Sequence, residues 1–484
     1  MKLRELLEQI PYQIIQGSAE TEVSTIAYDS RKVERGGLFV AISGFQTDGH
    51  KFIPMAVEKG AAAILAEHAV EGVPENIPVL VTENNRAALA AAAAKYYEDP
   101  TASMQVMGVT GTNGKTTTTY LVRSVLERIG RKTGLVGTIE NRIGDTVIPT
   151  ERTTPESLEL QALFRRMTEE RVEDVVMEVS SHSLDLHRVD GIHFDVAVFT
   201  NLTQDHLDYH KTMENYKKAK GLLFARADKS VINLDDEAGA YMADCAKGSV
   251  MTYAIDHPAD LRAEDISITA EGTAFTLVYE GGRYGVRLHT PGRFSVYNAL
   301  GAIGACLYLG APMEEILAGL AENPGVSGRF QTIRSKKGVQ AIVDYAHTPD
   351  GLENVLNTAA EFVKGRIITV FGCGGDRDKT KRPIMGRIAG ERSGYCIITS
   401  DNPRTEDPEQ ILRDVEAGTK ETGCPYEKQV DRRAAICRAV DLAKPGDVIV
   451  IAGKGHETYQ IFPDRTIHFD DTEEIRKAFG EDCL

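Results

Sequence analysis

The sequence predicts an α/β protein of three domains, from its length and from one recurring local pattern. At 484 residues it exceeds what a single hydrophobic core usually supports. Short apolar runs rich in β-branched residues recur along it, and each passes into a polar cluster before a helical pattern begins. Two loop-like breaks, Asp99-Pro100 and Asn323-Pro324-Gly325, divide the chain into segments 1–103, 104–325 and 326–484.

In the first segment, strand-like runs at Gly37–Ile42, Ala62–Leu65 and Val79–Thr82 alternate with helical patterns, and the alanine-rich stretch Ala87–Ala94 reads as a packed helix. In the second, Val106–Val109, Val175–Val179 and Val196–Thr200 read as buried parallel strands. They lead into Gly111-Thr-Asn-Gly-Lys115, Ser180-Ser-His182 and Asn201-Leu-Thr-Gln-Asp-His206. The third segment repeats this. Ala341–Val343, Ile367–Phe371, Cys396–Thr399 and Val448–Ala452 run into Asp344-Tyr-Ala-His347, Gly372-Cys-Gly-Gly-Asp-Arg377, Ser400-Asp-Asn-Pro-Arg404 and Gly453-Lys-Gly-His-Glu457. Ligands of open α/β sheets bind at the carboxyl ends of strands. Polar clusters at so many strand ends therefore predict two sheets facing one cleft.

Composition bounds the partners. Hydrophobic residues make up 42% and charged residues 26%, the profile of a soluble globular protein. The formal net charge of −16 argues against nucleic acid, whose binding rests on Lys and Arg neutralising phosphates. Seven scattered cysteines (Cys245, Cys306, Cys373, Cys396, Cys424, Cys437, Cys483) with no CxxC pair suggest neither a disulfide framework nor a zinc ribbon. A reduced, cytoplasmic compartment is expected. The charged start Met1-Lys-Leu-Arg-Glu lacks an apolar signal core, and no apolar stretch is long enough for a bilayer.

Val106-Met-Gly-Val-Thr-Gly-Thr-Asn-Gly-Lys-Thr-Thr117 reads as a strand, a tight turn and a helix start, the helix running to about Ile129 and stopped by Gly130. N–H groups at a helix start, aided by the helix dipole, suit a polyphosphate. Lys115 would reach its terminal phosphates and Thr116 would ligate Mg²⁺. The run misses the GxxxxGK[ST] spacing, since Val109 stands where the first glycine should be.

Mg²⁺ takes oxygen ligands. Glu178 ends a buried strand, where an unpaired carboxylate is costly, so a cation partner is expected. His206 lies in Asp205-His-Leu-Asp-Tyr-His210; the HxxxH spacing invites zinc, but no third ligand is evident, and Asp205 could simply cap the next helix. Lys220, in the helical run Tyr216–Phe224, reads by itself as a solvated lysine.

Taken together, Gly111–Thr117, Glu178–Leu184, Asn201–His210, Tyr216–Phe224, Asn298, Gly328-Arg-Phe330 and Asp344–Pro349 resemble the Mur ligase family, in family order. Tyr28-Asp-Ser-Arg31, Asp401–Arg404 and Gly453–Glu457 are most similar to members that add diaminopimelate. The resemblance implies a small N-terminal UDP-binding domain, a central P-loop-type ATPase domain and a Rossmann-like C-terminal domain. It implies an ATP-dependent ligase of peptidoglycan precursor synthesis. Meso-2,6-diaminopimelate would be joined to the D-Glu γ-carboxyl of UDP-N-acetylmuramoyl-L-Ala-D-Glu through an acyl phosphate, by a monomer.

By the same carry-over, Gly111, Thr112, Asn113, Gly114, Lys115, Thr116 and Thr117 hold ATP with Asn298, Arg329 and Asp344. Thr116, Glu178, His206 and a CO₂-derived carbamate on Lys220 serve Mg²⁺. Ser30, Thr153, Thr154, Ser180 and Arg188 contact the UDP-muramyl-dipeptide. Arg377, Asp401, Asn402, Arg404, Gly453 and Glu457 contact diaminopimelate. With ATP and amino acid on different segments, rigid-body motion is expected to join them.

The alternatives are the same ligation with L-lysine, a folylpolyglutamate-synthetase-like ligase, and a P-loop switch or motor. A nicotinamide-binding module at Gly372–Gly375 has the wrong spacing.

Overall fold

The computed structural model describes residues 1–44, 47–150 and 152–480; Cys483 lies outside them. Among the described residues the major strands form three sheets, one for each predicted segment.

The first sheet pairs Ile26–Ala27, Leu38–Val40, Ala63–Ala66 and Val79–Val81 in parallel, with Gln13–Gln16 antiparallel at one edge. The helix Asn85–Tyr96 packs on it through Ala88, Leu89 and Ala92. The small alanine side chains make that close approach possible. Tyr28 hydroxyl donates to Glu159 of the second segment at 2.7 Å, joining the two.

In the second segment, Gln105–Thr110 lies between Asp174–Glu178 and Phe194–Phe199, all parallel. These strands are buried on both faces, which is why they read as unbroken apolar runs. Helix Lys115–Arg128 covers one face with Leu121, Val122, Val125 and Leu126, and Gly130 follows it at φ +82°. The strand–helix alternation does not hold throughout. Leu261–Thr269, Gly272–Tyr279 and Gly282–Leu288 form an antiparallel meander that extends this sheet. Its first strand alternates buried with half-buried residues and then half-buried with exposed ones, a period of two that marks a half-solvated sheet, and Gly281 makes one turn at φ +76°.

The third sheet runs Gln331–Arg334, Gln340–Asp344, Val448–Ala452, Ile367–Phe371, Tyr395–Thr399, Tyr426–Gln429 in space, parallel after the first strand. Within it, Arg432 and Asp471 form a fully buried, two-pronged ion pair, with Arg432 also donating to Ala452 O at 3.0 Å. That anchors the C-terminal helix Asp471–Phe479 beneath the strand that ends at Ala452. Among the described residues no helix is long and apolar enough to cross a membrane.

Candidate active site

A cleft of about 1450 Å³ opens between the second and third segments. Its walls are the predicted strand ends: Gln204–Asp208 and His182 on one side, and Tyr345, Gly372–Gly374, Asp401, Asn402, Gly453 and Glu457 on the other. Two sheets thus present their carboxyl edges to one space.

The loop after Gln105–Thr110 is held from outside. Thr112 N and Asn113 N donate to Asn201 O and Oδ1 at 2.8 and 2.9 Å. Gly114 precedes the helix at φ +87°, and a Cβ there would sit 2.3 Å from Asn298 Oδ1. Glycine is therefore required, and Asn298 lies against the loop. Thr117 turns away, toward Leu288 and Thr290. The first-turn N–H groups of this 14-residue helix lack intrahelical acceptors and form its anion-binding end.

Lys115 folds onto the loop, donating to Gly111 O at 3.0 Å and Thr112 O at 2.8 Å. Lys220, 1% exposed, donates to the same Gly111 O at 2.8 Å and lies 4.5 Å from the Tyr216 ring centre. It is not a solvated lysine. Burial, then the charge of Lys115, holds its amine well below the ordinary 10.5. Burial also lowers Lys115, against the attraction of Glu178 and Asp205.

Glu178 ends its strand 1% exposed. Its Oε1 accepts from Thr116 Oγ1 at 3.0 Å and Thr138 N at 2.8 Å, and its Oε2 from Thr138 Oγ1 at 2.9 Å. Among the described residues no Lys or Arg forms an ion pair with it. Arg329 Nη2 reaches Thr116 Oγ1 at 3.2 Å, with its guanidinium 4.7 Å from the Tyr345 ring centre. A hydroxyl and a carboxylate side by side are the hard oxygen donors Mg²⁺ takes, so Thr116 and Glu178 fit that ion. Asp344 accepts from Phe330 N and Ala346 N at 2.6 and 2.7 Å. Burial raises its carboxyl above the usual range, against the pull of Arg329.

His206 stands at φ +53° and opens the short helix Leu207–His210. Asp205 therefore does not cap that helix. Its carboxylate lies 3.4 Å from His206 Nε2 and accepts from His206 N at 2.8 Å. Burial pushes the His206 imidazole down to about 4, against the pull of Asp205. The partner in the HxxxH spacing is a packing residue: His210 stacks on Tyr216 and pairs with Ser181 Oγ at 2.9 Å. His182, to which the sequence reading gave no role, sits edge-on to His206 at 4.8 Å and lines the cleft.

Beside Glu178, Thr153 Oγ1 pairs with Thr138 Oγ1 at 3.0 Å and Thr154 Oγ1 donates to Glu178 O at 2.9 Å. Ser180 caps the helix Ser181–Asp185. Arg188 donates to Thr154 O at 3.2 Å and pairs with Glu156 at 3.0 Å. Ser30 is separate from these residues. It lies buried in the first segment with its hydroxyl toward Met55 Sδ at 3.3 Å, outside the cleft wall.

Across the cleft, Asn402 Nδ2 donates to Glu457 Oε2 at 2.9 Å. Lys454, fully buried and unassigned from sequence, donates to the same oxygen at 3.0 Å and to Asn402 Oδ1 at 3.3 Å. Gly453 stands at φ +117°, where a Cβ would meet Asp401 Oδ2 at 2.7 Å. Arg404 stands at φ +53°, half-buried, its Nη1 donating to Gly375 O at 2.8 Å. Arg377 is exposed at the rim and among the described residues bonds Asp376 O alone, at 3.3 Å.

Models of known families match in chain order: the Mur ligase family catalytic domain over 22–97, the Mur ligase middle domain over 109–306, and the Mur ligase glutamate ligase domain over 328–455. A UDP-N-acetylmuramoyl-L-alanyl-D-glutamate–2,6-diaminopimelate ligase of Clostridium acetobutylicum is 49% identical over 483 residues, covering 99% of this chain and 100% of the relative. The enzyme of that name from Clostridium botulinum is 48% identical over 485 residues, with 99% and 100% covered. A solved structure of another ligase of that name superposes with a TM-score of 0.72 at 34% identity, covering 99% of this chain and 98% of that one. A glycine-rich strand–loop–helix start and a strand-end cleft thus occur in a chain that matches these relatives over nearly its whole length, and the chain belongs to the Mur ligase family.

Proposed function

We propose that this protein is the ATP-dependent ligase that joins meso-2,6-diaminopimelate to the D-Glu γ-carboxyl of UDP-N-acetylmuramoyl-L-Ala-D-Glu, releasing ADP and phosphate. The observation that carries the reading is the shared cleft. Gln204–Asp208, which follow directly on the residues that bond the phosphate loop, share one cleft with a pocket of fixed donors and acceptors, which ligation needs and a switch or motor does not.

The γ-carboxylate attacks the terminal phosphorus of ATP, giving an acyl phosphate and ADP. The amine of the incoming amino acid attacks the acyl carbon, phosphate leaves, and the amine loses its proton. Lys115, Arg329 and the first turn of helix Lys115–Arg128 neutralise charge on the transferring phosphoryl group. Gly111–Thr117 with Asn298 and Asp344 hold the nucleotide. Thr116 and Glu178, with His206, would hold Mg²⁺, which shields phosphate charge when bound.

Thr153, Thr154, Ser180 and Arg188 orient the dipeptide, and Ser30 reaches the uridine end. Asp401, Asn402, Gly453 and Glu457 hold the amino and carboxyl groups at one end of diaminopimelate, with Arg377 at the rim. The planar guanidinium of Arg404 suits the far carboxylate, which lysine lacks.

Lys220 is assigned the CO₂-derived carbamate. Only a neutral amine attacks CO₂, releasing a proton, and the burial that lowers this amine's proton affinity favours that form. Its product is an anion beside the phosphate loop. We place the reaction in the cytoplasm and in a monomer.

The test is ADP release with each substrate omitted in turn. Turnover should require the UDP-muramyl-dipeptide; comparable ATP hydrolysis without it would refute the ligase reading. Lys220→Ala should be nearly inactive and partly restored by short carboxylic acids. An active Lys220→Ala enzyme would refute the carbamate.

A further inference from the structure

Asp350 stands in the first turn of helix Pro349–Phe362, in the third segment. Its Oδ2 accepts from Asn113 Nδ2 at 2.8 Å and from Thr203 Oγ1 at 3.2 Å. Both donors belong to the second segment. Asn113 is in the phosphate loop, and Thr203 follows the strand Phe194–Phe199. Thr203 is itself tied to the loop: its N–H donates to Thr112 Oγ1 at 3.0 Å, and that hydroxyl donates to Thr203 O at 3.2 Å. Asn354, one turn along the helix, also hydrogen-bonds the Asp350 carboxyl.

The helix does not need Asp350 as its cap. Thr348 fills that place, its Oγ1 accepting from Gly351 N at 3.1 Å. Asp350 is therefore free to face the gap between the segments, and no step of the proposed chemistry uses it. We propose that Asp350 is a positioning residue, a carboxylate latch that fixes the amino-acid-binding segment against the phosphate loop.

The inference rests on the ligase reading for its kinetic consequence only. Hydrogen bonds to an ionised group are among the stronger ones, and loss of one commonly changes an equilibrium by roughly tenfold or more. An oxygen that gathers donors from the loop and from the next strand end makes the third segment respond to the loop's conformation. The amino-acid pocket rides on that segment, so weakening the latch should affect the transfer of amine more than the binding of nucleotide.

The full-length chain and its Asp350→Ala, Asp350→Asn, Thr203→Val and Asp350→Ala/Thr203→Val variants test this. With ADP as the probe, small-angle scattering should give Asp350→Ala a larger radius of gyration than the unsubstituted chain. Asp350→Asn keeps one acceptor oxygen and should fall between them. The ADP dissociation constant should move less than about threefold, while kcat falls roughly tenfold and KM for the amino acid rises. Thr203→Val should add little to Asp350→Ala, because Asp350→Ala already removes the Thr203 contact.

An unchanged radius together with unchanged kcat in Asp350→Ala would overturn the proposal. So would strict additivity with Thr203→Val, or a loss seen only in melting temperature with Asp350→Asn no better than Asp350→Ala. Scattering and ADP binding require neither acceptor nor amino acid. If the unsubstituted chain fails to ligate, the ligase reading falls and the radius alone decides the latch.

Discussion

The two walls of the cleft treat buried lysines in opposite ways. On the phosphate-loop side, Lys115 and Lys220 donate to backbone carbonyls, sharing Gly111 O. On the amino-acid side, Lys454 donates to a carboxylate, Glu457, and to Asn402. A carbonyl offsets only part of the cost of a buried cation, whereas a bonded carboxylate offsets most of it. On the first wall, Lys115 is therefore poised for an incoming anion, and Lys220 is driven toward its neutral amine. The second is complete in itself and supplies fixed geometry. In the proposed ligase one wall would provide charge for the chemistry, and the other shape for the choice of substrate.

The largest expected effect is on the charged wall. Lys115→Ala removes the phosphate-facing cation and should lower ADP release by about 10²–10³-fold with melting temperature little changed. Near-normal turnover would break the comparison at its first term. Lys454→Met comes next. It leaves Glu457 without its cation, and denaturant titration should show a loss of roughly 2–3 kcal/mol, with a raised KM for the amino acid and an unaltered KM for ATP. A loss in ATP affinity instead would mean that the second wall is not a separate pocket.

The smallest effect has the opposite sign. Lys220→Met should abolish activity yet stabilise the fold by about 1 kcal/mol at neutral pH. Its folded proton affinity lies below the ordinary 10.5, so unfolding takes up a proton between those values. The cost of burying Lys220 is therefore full below the folded value, falls as pH rises between the two, and is gone above the unfolded value. The gain in Lys220→Met should shrink accordingly as pH rises toward 10.5 and vanish above it. A destabilised Lys220→Met would show that its amine is as well compensated as that of Lys454.

Strands buried on both faces were legible because their apolar runs and polar ends are local signals. Val448–Ala452 and Ile367–Phe371 stand as read, and most others differ by a residue or two at their ends. The meander Leu261–Leu288 was not legible in the same way. Its half-exposed strands carry no motif, and they were read into a pattern that belongs to the sheet centre. At the site, Lys115 and Thr116 follow from a loop whose chemistry is contiguous in sequence. Lys220 does not: its burial comes from Tyr216 and Gly111, and the latter is 109 residues away, so only family resemblance singled it out. Lys454 and His182 sat inside quoted motifs without a role, because their partners, Asn402 and His206, come from other strand ends. Thr203 and Asp350 lie 147 residues apart, and neither is distinctive alone.

In the proposed ligase the second wall selects its amino acid through a far-end carboxylate. The most direct measurement is a competition: equal meso-diaminopimelate and L-lysine, with ATP and UDP-muramyl-dipeptide, and the product masses compared for the unsubstituted chain and Arg404→Ala. A site built on a polar contact can reject an analogue lacking it by about 10⁴-fold. The account predicts the diaminopimelate product alone from the unsubstituted chain, and a much slower, mixed product from Arg404→Ala. Comparable amounts of both products from the unsubstituted chain would contradict it.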